Sequence, residues 1–191
     1  FMPHLSQGQH VDYQFQTPTT RVWNDLFKAG KTTPAQSLFW EVPKAPEELY
    51  DLTTDPDEVK NLASSPQYQA ILTKMREAQR NLATNIRDVG LLPEGEIHSR
   101  STGSAPYTMG HDDAKYPFAR VFATASLASS LKADALPQLR QSLTDSDSAV
   151  RYWAALGVLM RGKDAVTAAH ADLQKALTDA APSVRVPAAQ A

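Results

Sequence analysis

The chain has 191 residues, 42% apolar and 21% charged, with a formal net charge of −2; such values fit one globular domain or two small ones. A charge so low offers no basic face to nucleic acid, and no apolar run approaches the roughly 20 residues of a membrane-spanning helix, so neither a nucleic-acid partner nor a membrane span is expected. Cysteine is absent, which excludes disulfides, thiolate metal ligands and a cysteine nucleophile within these residues.

The first residues, Phe1-Met2-Pro3-His4, have neither the basic nor the apolar part of a secretion signal. Phe1 and Ala191 read as cut ends, so the chain is expected to be a fragment. Thr17-Pro18 sets a hydroxyl ahead of a proline at the first helical position, with Val22, Trp23, Leu26 and Phe27 on one face. Gly30 marks the stop, and Thr33-Pro34 repeats the device before Leu38, Phe39 and Trp40. Residues 47–52, Glu-Glu-Leu-Tyr-Asp-Leu, alternate as a short strand would, and Asp55-Pro56 turns the chain. Ser65-Pro66 then opens a long helix whose apolar stripe is Ile71, Leu72, Met75, Ala78, Leu82, Ile86 and Val89, ended by Gly90. Residues 93–116, with three glycines and two prolines, read as a linker or an ordered loop.

From Pro117 onward alanine- and leucine-rich helices are expected, and a period emerges. Leu139, Leu143, Thr144, Asp145, Val150, Arg151, Ala154 and Ala155 recur as Leu173, Leu177, Thr178, Asp179, Val184, Arg185, Ala188 and Ala189, each pair 34 residues apart. A fixed period in this range signals stacked helical hairpins. The pattern resembles HEAT repeats: a helix ending in Leu-Thr-Asp, a short turn, then Val-Arg opening an alanine-rich helix. Arg120 to Leu131 reads as the second helix of a preceding, degenerate unit. The last hairpin is expected to fray or to expose apolar surface.

The residues alone offer no active site. His4, His10, His98, His111 and His170 are scattered without metal-binding helical spacing. His111-Asp112-Asp113 sets a base beside two carboxylates, too few ligands for a cation. There is no glycine-rich phosphate loop and no Gly-x-Ser-x-Gly elbow.

Residues 47–62, Glu-Glu-Leu-Tyr-Asp-Leu-Thr-Thr-Asp-Pro-Asp-Glu-Val-Lys-Asn-Leu, resemble the signature near the C-terminus of type I sulfatases of bacterial type, in the alkaline-phosphatase-like superfamily. Glu48, Leu49, Tyr50, Asp51, Leu52, Asp55, Pro56, Glu58, Asn61 and Leu62 match it, as do the flanks Met2-Pro3-His4, Thr17 to Trp23 and Ile86 to Glu96. The resemblance covers roughly residues 1–98 and continues more weakly to Pro117. Within the signature, Leu49, Tyr50 and Leu52 are expected to pair as an edge strand, with Glu58 and Asn61 satisfying backbone groups at the bend.

The resemblance implies a formylglycine nucleophile made from the first residue of Cys/Ser-x-Pro-x-Arg, with calcium held by Asp and Asn as an electrostatic clamp. Neither belongs to these residues: Ser64-Ser65-Pro66 continues to Tyr68, and Ser104-Ala105-Pro106 to Thr108, where arginine is required. No catalytic residue, metal ligand or cofactor is therefore assigned here, and the fragment alone is expected to be inactive. Calcium and formylglycine are implied for a missing catalytic domain, which is the first expected partner. His4, His10 and Arg21 are candidates to contact substrate in the complete protein.

The expected fold class is α+β, mostly α. A small subdomain of antiparallel strands and one long helix (1–98) precedes a linker or ordered loop (99–116) and truncated HEAT-like helical repeats (117–191). Two functions compete. One is the non-catalytic C-terminal part of a sulfuric ester hydrolase, packed on its catalytic domain and shaping the substrate pocket. The other is an interaction scaffold that recruits a protein partner along the repeats, without activity in the parent. Bracing of the enzyme by the repeats is a third role. Localisation is not legible in the residues; the resemblance suggests export from the cytoplasm.

Overall fold

A computed structural model describes residues 1–191 and contains helices, turns and extended coil but no strand. The chain divides into a unit of residues 2–73 and a unit of residues 74–191 together with Phe1.

In the first unit, α1 (Asp12–Phe15), α2 (Pro18–Lys28) and α3 (Pro34–Ser37) precede a long irregular stretch, a 3-10 turn at Pro66–Tyr68 and the start of α4 (Gln69–Ile86). Pro18 occupies the first turn of α2, yet the Thr17 hydroxyl donates to the Gln14 carbonyl at 2.7 Å rather than accepting from a helix amide. At the other end Gly30, with φ +66°, lets its amide reach Phe27 O and the Lys31 amide reach Leu26 O, both at 2.9 Å. That pair of bonds closes the helix as a Schellman motif, which favours glycine at the left-handed position. Thr33 and Gln36 form a reciprocal capping box on α3. The core here is aromatic. Trp40, 5% exposed, is met edge-on by Phe15, Trp23 and Phe39, with Phe27 also beside it. Gly8 lies against this cluster, and a Cβ there would sit 2.5 Å from the Trp40 ring.

The expected antiparallel strand at 47–52 does not form, so the α+β assignment is corrected to an all-helical fold. The opposing run supplies one backbone bond, Leu62 N–H to Leu49 O at 2.7 Å. Asn61 replaces the rest of a ladder with its side chain, accepting from Leu49 N–H at 3.0 Å and donating to Glu47 O at 2.9 Å. Asp51 then accepts from Thr53 N–H and turns the chain before a second pair can form. The bend is closed by Asp55, which accepts from the amides of Val59 and Lys60, whereas Glu58 adopts a left-handed φ of 54° within it.

In the second unit, α4 ends without glycine. Arg87 takes the left-handed position at φ 50°, and the Asp88 amide reaches back to Ala83 O. A 3-10 turn (Val89–Leu91), α5 (Glu94–Arg100) and α6 (Pro106–Gly110) lead into α7 (Phe118–Ser129). A 3-10 turn at Ala133–Ala135 and α8 (Leu136–Ser142) precede α9 (Ser148–Met160), and α10 (Lys163–Ala168), α11 (His170–Ala176) and α12 (Pro182–Gln190) complete the chain. The 34-residue period thus corresponds to two hairpins, α8–α9 and α11–α12. The apolar helix α9 is the axis of this unit and packs on α7, α8, α10 and α12. Close approach depends on Gly157, where a Cβ would lie 2.9 Å from both Ala128 Cβ and a Leu139 methyl.

Arg161 shows how the C-terminal ends of two helices are satisfied at once. Its guanidinium donates to the carbonyls of Leu127 and Ala128 at the end of α7, of Gly157 in α9, and of Lys132. A cation there complements the negative ends of both helices. Replacing Gly157 by valine forces the α7–α9 contact apart and should destabilise residues 74–191 by about 1–3 kcal/mol. A denaturant midpoint equal to that of the parent chain would contradict this account of the contact.

Candidate functional site

The three candidate substrate contacts all lie in the first unit, in different settings. His4 is half-buried in the opening turn, beside the Pro3 carbonyl that accepts from the Lys44 amide at 2.9 Å. Its Nδ1 is buried with no hydrogen-bond partner. Burial, and then the Lys44 charge, hold its pKa below the ordinary histidine value. His10 is exposed, stacks on Phe15 at 4.4 Å and approaches the Asp12 carboxylate at 3.5 Å. Arg21 is exposed on α2. A cavity of about 350 Å³ in this unit is lined by Trp23, Phe39, Lys44, Glu48, Tyr50 and Asn61 among others, but not by His4, His10 or Arg21.

The long helix α4 bears the most conspicuous surface. Leu72 and Ala83 are buried, while Ile71, Met75, Leu82 and Ile86 are 48–61% exposed. At 3.6 residues per turn these four side chains fall within an arc of about 60°. The stripe read from the sequence is therefore real but splits in two: a narrow buried line and an adjoining uncovered one.

The second unit holds a network of charges. The carboxylate of Glu96, 8% exposed, accepts from the hydroxyl of Ser148 in the first turn of α9 and from that of Ser183 in the first turn of α12. It also accepts from Arg100 Nε at 2.8 Å, and Arg100 in turn forks onto Asp147 at 2.9 and 3.1 Å. Burial opposes ionisation of Glu96, but the bonds from Ser183, Ser148 and Arg100 outweigh it and keep the carboxyl below its ordinary range. Asp147 is likewise held low, its burial outweighed by Arg100. Beside the network opens a cavity of about 760 Å³ lined by Pro93, Ser99, Arg151, Pro182 and Val186 among others. Its charged groups are already paired: Arg151 grips Asp179 at 2.7 and 2.8 Å.

Residues 87–91, just after α4, are held by further bonds within the second unit. The Trp153 indole N–H donates to Leu91 O at 2.8 Å, and the buried Tyr116 hydroxyl to Asp88 O at 2.7 Å. Arg87 donates to the carbonyls of Gly110 and Tyr116 and to Asp113, which anchors its own left-handed backbone. These bonds also dispose of the His111-Asp112-Asp113 cluster: His111 Nδ1 meets the Tyr107 carbonyl, Asp112 accepts from Ala114 N–H and Asp113 pairs with Arg87. No group of three or more His, Asp or Glu side chains is arranged to hold a metal ion. No helix is long and apolar enough to cross a membrane.

Sequence reading missed Glu96, Arg100 and Trp153. The one available signal was the repeated Val-Arg after each turn, which marks Arg151 as structural; nothing in the local pattern distinguishes Glu96 from a solvated helix residue.

Over 97 residues the chain is 37% identical to an ulvan-active sulfatase of Formosa agariphila; the match covers 51% of this chain and 16% of that protein. The chain thus spans about a sixth of the length of the curated relative it matches. No family model and no solved structure matches it.

Two titrations follow from this geometry. The folded carboxyls of Glu96 and Asp147 lie below their unfolded values, so their stabilisation is complete above the ordinary carboxylate range and is lost as pH falls through the folded values. Stability of the second unit should therefore drop below about pH 4, and Glu96→Gln should flatten that drop; equal slopes for both chains in urea titrations would contradict it. The imidazole of His4 should titrate by NMR below the ordinary histidine value, and Lys44→Gln should move it part of the way back; an unchanged His4 titration in that variant would contradict the Lys44 contribution.

Proposed function

We propose that this chain is the C-terminal portion of a formylglycine-dependent sulfatase acting on a sulfated polysaccharide, and that its HEAT-like hairpins brace the enzyme. The observation that carries the reading is the 97-residue match at 37% identity to a sulfatase. In this reading formylglycine and calcium reside in the rest of the polypeptide, and sulfate-ester hydrolysis takes place there. His4, His10 and Arg21 reach the substrate from the first unit, contributing affinity rather than chemistry. A half-buried imidazole held neutral beside Lys44 suits hydrogen bonding to a hydroxyl or sulfate oxygen.

The exposed stripe of α4 supports the same reading. Covering the open halves of Ile71, Met75, Leu82 and Ile86 stabilises by about 1 kcal/mol each, enough to seat the helix on a larger body. Bracing is favoured over recruitment of a separate partner by a specific feature: the Trp153 indole in α9 donates to Leu91 O, in the turn that follows α4.

Two measurements on the complete polypeptide test this. It should desulfate a sulfated polysaccharide and carry an aldehyde residue detectable by mass spectrometry, while residues 1–191 alone should be inert. Changing Ile71, Met75, Leu82 and Ile86 to lysine should leave the helicity of the isolated chain unchanged and lower the stability of the complete enzyme by about 4 kcal/mol. Absence of both the aldehyde and sulfate release would end the proposal; equal stability of the complete variant and parent would end the docking role of α4.

A further inference from the structure

The cavity of about 350 Å³ in the first unit combines two unlike sets of side chains. One is aromatic. Trp23 of α2 and Phe39, just after α3, both line the cavity and stack at 4.9 Å with their planes 18° apart. Both rings are held in place. The Trp23 indole N–H donates to Gln36 O at 2.8 Å, and the buried Trp40 meets the two rings edge-on at 5.3 and 4.9 Å.

The other set is acidic. Glu41, Glu48, Asp57 and Glu58 line the cavity, and Lys44 is the one cation among the lining residues. None of the four carboxylates is held in an ion pair. The Gln7 amide donates to Glu48 at 3.1 Å, whereas the Asn61 amide is occupied by the backbone of Leu49, Ala63 and Glu47. Burial, and then the charges of Glu48, Glu58 and Asp55, push the Tyr50 phenol above its ordinary value, so it stays a neutral donor on the lining.

Such a lining selects by shape and by charge. A sugar ring carries C–H bonds on its faces and hydroxyls around its edge. The C–H bonds suit the electron-rich face of an aromatic ring, and the hydroxyls donate to carboxylates in charge-assisted hydrogen bonds. A volume of about 350 Å³ lies at the lower end of the range for ligand pockets and suits a sugar ring rather than a long chain. A sulfate ester on that ring would bring a fixed negative charge among four carboxylates and one ammonium, which repel it.

We infer that this cavity is a subsite for an unsulfated sugar ring, with Trp23 and Phe39 as its platform, Glu41 and Glu48 as acceptors for its hydroxyls, and the surrounding carboxylates excluding a sulfated ring. The inference rests on the polysaccharide reading above and adds a specificity rule to it: the ring bound here is one that carries no sulfate.

Binding to residues 1–191 is read by proton–nitrogen NMR at the Trp23 indole N–H, assigned through Trp23→Phe. The ligands are the methyl glycosides of glucose, galactose and xylose, then glucose monosulfate, then tetramethylammonium. A neutral glycoside should shift the resonance with a millimolar dissociation constant, and the monosulfate should bind about 10-fold more weakly or worse. Glu48→Gln, at an exposed position, should weaken the glycoside by about 10-fold or more. Glu41→Gln together with Asp57→Asn should narrow the gap between glycoside and monosulfate. No shift with any neutral glycoside, or equal binding of the monosulfate by the parent chain, overturns the proposal. Saturation by tetramethylammonium alone assigns the cavity to an organic cation and overturns it as well. The readout needs no sulfate release, so glycoside binding beside a complete polypeptide that fails to desulfate keeps the sugar site and ends the enzyme reading.

Discussion

The second unit depends on one buried carboxylate. Glu96 stands in the first turns of α9 and α12, where unpaired amides leave partial positive charge, and it is held by a serine hydroxyl from each helix and by Arg100. Burying an acid is costly unless its lone pairs are filled; here they are, and the group stays ionised. Because Ser148 and Ser183 lie 52 and 87 residues after Glu96, this single side chain ties α5 to both hairpins. Trp153 ties Leu91 to α9, and Tyr116 and Arg87 join residues 87–88 to the segment ahead of α7.

The loop at 47–62 and the hairpins have different physical roles. In the loop at 47–62, Asn61 and Asp55 satisfy backbone amides that no strand partner reaches, so these two side chains fix the course of the backbone there. The hairpins continue the packing of the chain end through α9.

Much of the helical punctuation was legible in the residues. Gly30 ends α2 and Thr33-Pro34 caps α3 as expected, because those devices act within a few bonds along the chain. The 34-residue period was legible too, since equivalent turns reuse the same aspartate and arginine. The strand was not: alternation at 47–52 meets an asparagine side chain instead of a ladder, and local pattern cannot reveal what lies opposite. The left-handed end of α4 at Arg87 was masked by Gly90 three residues on, since only long-range bonds from the guanidinium hold an arginine there. Glu96 was hidden for the same reason, its hydroxyl partners lying 52 and 87 residues away. Of the candidate contacts, only the buried atom of His4 acquires a setting that its sequence position did not announce.

The central claim is that α5 and the hairpins form one cooperative body held through Glu96. Native-state hydrogen exchange of the 191-residue chain tests it most directly, comparing the Ser101 amide, bonded to Ile97 O in α5, with core amides of α9 such as that of Trp153. The account predicts that both open with one free energy and one denaturant dependence. Exchange of Ser101 through a small local opening, while Trp153 stays protected, would contradict it.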